Sequence, residues 1–285
     1  VNKTTDEKKP MNGPMAMPCR FCGKHLNEGA IEGGFCSARC RDTALRVIKG
    51  KKVMAAICCR DSLHTAFFAN IPGGIFEAVR ISTTFPLDQA RDELTRAFLA
   101  NKEFTHMMII DADVVSAPNL VDLFLVDAPL VSAFCWIAGP IHGQYMPVPG
   151  LYRWNPPGDD KRFTTWAMND VRNAIMEANE AQRLPIVDAD LVGGGCWMMD
   201  RRTAERTMDD HGSWFRLTWE EGKQIRHGED VYFYERARAL GLKFKVHLGV
   251  ECGHMKNVDL RYMGHMIYGM LPPEFYEKLD SKEGL

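Results

Sequence analysis

The segment that most constrains this chain is Thr105-His-Met-Met-Ile-Ile-Asp-Ala-Asp113, an apolar run that ends abruptly in two acids. Such a run reads as a strand buried on both faces, the kind found inside a parallel sheet. Asp111 and Asp113 fall where the strand gives way to a loop, and residues two apart in extended chain point to the same side. Two carboxylates held together repel unless a cation or a proton relieves them. A divalent metal with a phosphate ligand is the usual relief, because hard cations take oxygen ligands and keep positions for phosphates. The alternative is structural: one acid capping the next turn and one solvated in a loop.

The flanking sequence alternates strand and helix patterns. Residues 53–58 form an apolar strand, and 86–101 an amphipathic helix with Leu87, Ala90, Leu94, Ala97 and Phe98 on one face. After the strand at 105–110 come a helix over 117–126 and a strand over 130–136. Residues 138–169, rich in Pro, Gly and aromatics, read as a long functional loop region. A helix over 170–182 follows, then a strand-like stretch over 186–199 interrupted by Gly193-Gly-Gly195, a helix over 230–240 and a strand over 243–250. Strands separated by helices predict an α/β fold with a largely parallel sheet. With 285 residues, 46% of them hydrophobic, the chain can bury one large domain plus something small. It carries no internal repeat.

The small part is legible from its cysteines. Cys19, Cys22, Cys36 and Cys40 are spaced C-x2-C-x13-C-x3-C, which fits a tetrahedral Zn2+ site with no coordination position left open for catalysis. The second pair lies at the start of a short basic helix over 38–49, where free N–H groups favour thiolates. The module resembles treble-clef or zinc-ribbon fingers. The expected organisation is a disordered tail (1–17), a zinc-binding module (18–50) and a catalytic domain (51–285). The remaining thiols (Cys58, Cys59, Cys135, Cys196 and Cys252) sit in apolar contexts that suit a core. No run of about 18 apolar residues spans a membrane, and the first ten residues carry no apolar signal core. The expectation is a soluble cytoplasmic protein, in a bacterial host cytoplasm if viral, with reduced thiols.

Three further segments bear on the opening acids. Arg91, on the helix preceding the acidic strand, can hold a phosphate or nucleotide or make an ion pair. In Val192-Gly-Gly-Gly-Cys-Trp-Met-Met-Asp-Arg201, three glycines in an apolar strand imply close approach of a ligand or another strand. Gly228-Glu-Asp-Val-Tyr-Phe opens a helix with two acids, which the helix dipole also favours, and Gly253-His254 puts an imidazole at a strand end. In this order the motifs resemble the nucleotide-sugar-dependent glycosyltransferases of the GT-A fold, particularly the inverting family-two type, over about residues 53–256.

That resemblance implies a Rossmann-like, mostly parallel sheet flanked by helices. It implies that Asp111 contacts the ribose side of the donor, a UDP-sugar by expectation. Asp113 and His254 would hold Mn2+ or Mg2+ at the diphosphate. Asp230, or else Glu229, would be the general base, with inversion at the sugar. Gly193, Gly194 and Gly195 would line the donor-sugar or acceptor pocket, Trp197 would stack on a sugar ring, and Arg91 remains the candidate for holding a phosphate or nucleotide. A second Asp-x-Asp, Asp188-Ala-Asp190, would at most touch donor-sugar or acceptor hydroxyls.

The acceptor is approached through charge. Residues 1–60 carry twelve Lys/Arg against five Asp/Glu on a chain of net charge −2, with Arg39, Arg41, Arg46, Lys49, Lys51 and Lys52 close together. That segment suits a phosphate backbone. Together with the glycosyltransferase resemblance it suggests a hydroxymethylated DNA base, of the kind some bacterial viruses use, as acceptor, with Tyr145, Tyr152, Trp154 and Trp166 available for stacking or for core packing. Protein or polysaccharide acceptors are the alternatives, as are metal-dependent nucleotidyl transfer and a non-catalytic zinc-finger protein with a GT-A-like body.

Overall fold

The computed structural model describes residues 19–24, 34–59, 74–141, 144–159, 161–193, 195–219 and 226–255. The expected tail at 1–17 lies outside them. The chain forms two compact units, Val1–His254 and Met255–Leu285, and the first holds every element below.

Helix α1 (Ala38–Gly50) leads into β1 (Val53–Cys58), β2 (Ala78–Ser82), α2 (Leu87–Ala100), β3 (His106–Asp111) and β4 (Val114–Val115). A 3₁₀ helix (Leu120–Leu125) precedes β5 (Leu130–Ile141), β6 (Gln144–Pro149), β7 (Leu151–Trp154) and β8 (Phe163–Thr165). Then come α3 (Met168–Glu180), β9 (Ile186–Ala189), β10 (Leu191–Val192), β11 (Cys196–Asp200) and α4 (Arg201–Thr207). The hairpin β12 (Thr218–Trp219) and β13 (Arg226–His227) precedes α5 (Glu229–Ala239) and β14 (Phe244–His254).

The main sheet has the order β2-β1-β3-β11-β5-β14-β4. Strands β2, β1, β3, β5 and β14 run one way, and β11 is antiparallel to both its neighbours. The largely parallel sheet flanked by helices, expected of a GT-A type, is therefore present. Its consequence for function is positional. The carboxyl ends of β3 and β14 open on one edge, beside the amino end of β11, and open α/β sheets bind ligands at that edge.

The continuous apolar runs are explained by burial on both faces, since all six residues of β1 are buried. Val53, Ala55 and Ile57 join Met108, Ile110, Val131 and Met198 in a core closed by Leu120, Leu123 and Phe124 of the 3₁₀ helix. On the other face Met54 and Ala56 join Met107, Ile109 and Trp197 under α2, α4 and α5.

Two expectations change. The buried face of α2 comprises Ala90, Arg91, Asp92, Leu94, Thr95 and Phe98, whereas Leu87 and Ala97 lie at the surface. The helix turns two charged residues inward because both have partners there. Asp92 Oδ1 accepts the Trp214 N–H (2.9 Å) and the Phe215 N–H (3.1 Å), fastening the chain after α4, and Arg91 faces the site. Residues 138–169 are also not one loop. Strand β5 continues to Ile141 and pairs with β6, while β7 and β8 join β10 in a three-stranded sheet. The prolines that argued for a loop, Pro147 and Pro149, sit on β6, which pairs with β5 alone among the described strands. Proline's missing N–H is tolerated on an edge strand.

Candidate functional site

Asp111 closes β3, and its position is fixed from three sides. Its N–H donates to the Gly195 carbonyl (2.7 Å), which puts the start of β11 against it. A Cβ at Gly195 would stand 1.9 Å from Asp111 Cγ, so no side chain fits there. Arg91 Nη2 donates to Asp111 Oδ1 (3.0 Å), and Arg91 Nη1 lies 2.9 Å from Glu229 Oε1. Arg91 is 4% exposed. Its cation thus joins α2, β3 and α5 at their site-facing ends. Asp111 and Glu229 hold its pKa well above the ordinary arginine value, against the opposing pull of burial. Of the two readings of Arg91, the ion pair is the one seen, buried rather than at the surface: among carboxylates it orients them.

Glu229 and Asp230 form the first turn of α5 after Gly228, as the dipole favours. They differ in environment. Glu229 is buried and paired with Arg91. Asp230 Oδ1 accepts only the adjacent Val231 N–H (2.8 Å) among the hydrogen bonds of the described residues. Burial pushes the Asp230 carboxyl up to about 6; the Arg91 cation opposes this, while Glu229 and Asp111 add to it.

Asp113 and His254 meet although 141 residues apart: His254 Nε2 lies 3.0 Å from Asp113 Oδ2. The pairing is set by backbone, since Val114 stands opposite His254 in the β4–β14 ladder. His254 Nδ1 lies 3.2 Å from the Trp136 carbonyl. A carbonyl only accepts, so Nδ1 carries the proton and Nε2 turns towards the carboxylate. A lone pair facing a carboxylate oxygen calls for a cation, either a second ring proton or a metal shared by both groups. The 3.0 Å separation equals the cis edge of an octahedron with metal–ligand bonds of about 2.1 Å. The two residues could therefore hold a divalent ion between them.

Tyr152, close enough to Asp230 to feel its charge, was weighed in the sequence only as a stacking or packing residue. A Cβ at Gly193 would come 3.1 Å from its hydroxyl oxygen. Burial and the Asp230 charge raise its pKa to about 12. The Gly193-Gly-Gly195 run was the available signal, because such glycines mark where something large comes close. Gly194 itself lies outside the described residues.

One further expectation is corrected, and the second Asp-x-Asp takes its structural alternative. Trp197 does not face a sugar: it is 1% exposed, with its ring 5.0 Å from Phe233 and 5.5 Å from Phe244. Strand alternation sends it into the core under α5. Asp188 and Asp190 sit at the opposite end of β14 from His254, roughly 20 Å away along the strand direction. Asp188 pairs with Lys245 (2.6 Å), and Asp190 accepts the Trp154 N–H (3.0 Å), so both hold the far rim together. Trp154 and Trp166 are half-buried under Arg238 and Arg153, respectively. The Tyr145 side chain lies outside the described residues.

The four module thiols converge. Cys22–Cys36, Cys36–Cys40 and Cys40–Cys22 sulfurs are 3.6, 3.4 and 3.9 Å apart, and all four ligand atoms lie within 4.8 Å of one another. A tetrahedron with Zn–S bonds of about 2.3 Å has edges of about 3.8 Å, so the cluster fits zinc. Burial raises the Cys19 pKa, but N–H groups of Cys22, Cys36 and Phe21 outweigh it and bring the thiol to about 7. Ser37 caps α1, its Oγ accepting the Cys40 N–H at 3.2 Å. The outer face of α1 exposes Arg39, Arg41, Arg46 and Lys49. Lys51 leaves this face, its Nζ donating to the Val126 carbonyl (2.8 Å). The other five cysteines are buried, as expected of core residues. No helix among the described residues is long and apolar enough to cross a membrane.

No protein-family model and no curated protein sequence matches the chain. Among solved structures it is similar to protein A197 from STIV, at 13% identity over 72% of this chain and 86% of that one, with a TM-score of 0.45. It is similar to GalNAc-T7 solved with UDP, GalNAc and Mn2+, at 13% identity over 73% of this chain and 44% of that one, with a TM-score of 0.49. A third similar structure is the inositol-1-phosphate CTP transferase from T. maritima, at 8% identity over 71% of this chain and 65% of that one, with a TM-score of 0.29.

Proposed function

We propose that this chain is a divalent-metal-dependent glycosyltransferase that moves a sugar from a nucleotide sugar to a hydroxyl. The observation that carries the reading is the meeting of Asp113 and His254 at 3.0 Å. It occurs on the sheet edge where Arg91 also gathers Asp111 and Glu229. Asp113 and His254 would hold Mn2+ or Mg2+, which when bound neutralises charge developing on a leaving diphosphate.

The chain's own residues divide the remaining work. Arg91 holds the Asp111 carboxylate at the strand end, where it can accept from a ribose hydroxyl. Glu229, spent on Arg91, is unsuited to take a proton. Asp230 is the base: a carboxyl with a pKa near 6 is ionised at neutral pH yet basic enough to draw a proton from an acceptor hydroxyl. Gly195 lets β11 approach Asp111, and Tyr152 offers a hydroxyl on the Asp230 side. In the inverting reading the acceptor attacks from the side opposite the diphosphate.

For the acceptor we propose a hydroxymethylated DNA base, supported by the cationic outer face of α1. Arg39, Arg41, Arg46 and Lys49 would meet phosphates while the target base is drawn out of the stack. Protein and polysaccharide hydroxyls are the competing acceptors.

The test of the core reading is hydrolysis of a nucleotide-sugar panel by wild type and Asp113→Ala, with manganese present and absent. Wild-type turnover should require the metal, and the variant should fall on the order of a hundredfold or more, since even residues that merely orient metal ligands cost 10- to 100-fold. Unchanged turnover in the variant removes the metal role. Incubation of the same protein with hydroxymethylcytosine DNA and the donor panel, read by nucleoside mass spectrometry, decides the acceptor.

A further inference from the structure

The first cysteine knuckle is not held away from the body. Gly23 has a left-handed backbone (φ 77°), and a Cβ there would stand 2.2 Å from the Arg183 carbonyl carbon, so the knuckle lies directly on the connection between α3 and β9. Between Cys19 and Cys22, Arg20 forks onto Asp122 of the 3₁₀ helix, with Nε and Nη2 at 3.0 and 2.7 Å from Oδ1. Asp122 is 4% exposed, and a buried carboxylate needs a cation. The Asp122 charge also acts on His247, whose pKa burial lowers; the cation in contact with Asp122 is Arg20.

The contacts continue towards the site. Asn119 Nδ2 donates both to Asp122 Oδ2 (3.1 Å) and to the Gly249 carbonyl (3.1 Å). Gly249 lies in a bulge of β14, where the ladder passes from His247 opposite Ala133 to Glu251 opposite Phe134. Leu248 in the same bulge donates its N–H to the Pro185 carbonyl (2.8 Å), on the connection that Gly23 contacts. From the bulge β14 runs on to His254; from Asn119 the chain runs back through β4 to Asp113. These two arms are joined by the β4–β14 ladder and by two side-chain ties, Asp113–His254 and Asn119–Gly249, and Arg20 closes the second of those ties.

We infer that Arg20 is a positioning residue for the Asp113–His254 pair, acting through Asp122, Asn119 and the β14 bulge. The thiol cluster then serves the site as an anchor for this strut, in addition to any contact made by the outer face of α1. The inference rests on the proposed reading of Asp113 and His254 as a divalent-metal pair. A strut that fixes two ligand-bearing arms lowers the freedom lost when a metal joins them, so its removal weakens the metal rather than the fold alone.

The experiment uses the full chain with its zinc content measured. Wild type, Arg20→Ala, Arg20→Lys and Asn119→Ala are compared by Mn2+ titration followed by electron paramagnetic resonance and by amide hydrogen exchange. With zinc retained, Arg20→Ala should bind Mn2+ on the order of tenfold more weakly and exchange faster at residues 114–115 and 253–254. Arg20→Lys should recover part of both, and combining Arg20→Ala with Asn119→Ala should add little to either alone. If Arg20→Ala loses zinc or fails to fold, Asn119→Ala, which leaves the module intact, decides the matter. Unchanged exchange and unchanged Mn2+ affinity in Asn119→Ala would overturn the inference. Wild type that takes up no Mn2+, with exchange still accelerated in the variants, would sink the metal reading and leave the mechanical coupling standing.

Discussion

Asp230 is the residue at which environment most alters chemistry. An unfolded aspartate ionises at about 3.9, whereas burial raises this one to about 6 in the folded chain. A raised acid holds its proton more tightly when folded. Its contribution to stability is therefore complete below about pH 4 and lost as pH rises through about 6. Asp230→Asn is expected to melt above wild type at pH 7.5, by on the order of 1–3 kcal/mol. That advantage should vanish by about pH 4, and turnover should be lost throughout; thermal melts across pH check the first part and donor-plus-acceptor assays the second. A wild-type kcat that does not rise across an inflection near pH 6 would count against Asp230 as the base. At this scale the sequence was informative about residue type and less so about partners. Asp111, Asp113, Glu229, Asp230 and His254 stand out by their position after apolar runs or at a helix start. Nothing local says that Arg91 binds Asp111 and Glu229, or that Trp197 turns inward.

At the scale of elements, apolar periodicity located β1, β3, α2, α3, α5 and β14 to within a few residues. It was misled where composition and pairing disagree. The prolines of β6 read as loop until the edge position of the strand is known, and β2 gave no pattern because three of its five residues are exposed. Helix α2 shows what an element needs from its neighbours. Its terminal carbonyls are met by Arg201, which donates to Phe98 (3.0 Å) and Leu99 (3.1 Å), reaches Phe104 (2.9 Å) in the loop beyond, and lies 4.8 Å over the Phe98 ring. Those carbonyls have no partner inside the helix, and a cation is favoured at that end. Arg201→Ala should therefore cost about 2–4 kcal/mol of stability in urea unfolding, and Arg201→Lys should restore less than half, because an ammonium cannot fork. Catalytic constants measured well below the melting temperature should be unchanged, which separates this arginine from Arg91.

For the whole molecule, the cysteine module and the sheet are joined through Arg20–Asp122, the Gly23 contact and Lys51. Calorimetry of the zinc-loaded protein should give a single transition for these parts. Zinc chelation should lower that transition, since metal binding to a folded site is folding free energy. A separate low-temperature transition assignable to the module would show that the contacts do not couple it to the sheet. The sequence by itself determined the α/β alternation, the strand ends that carry acids, and the four-thiol cluster, because each rests on spacing along a short stretch of chain. Only the tertiary structure decided that Asp113 meets His254, that Arg91 is spent inside the protein, and that the knuckle reaches the arms of the site. Those outcomes depend on which elements lie side by side, and two of the decisive contacts join residues 102 and 141 positions apart.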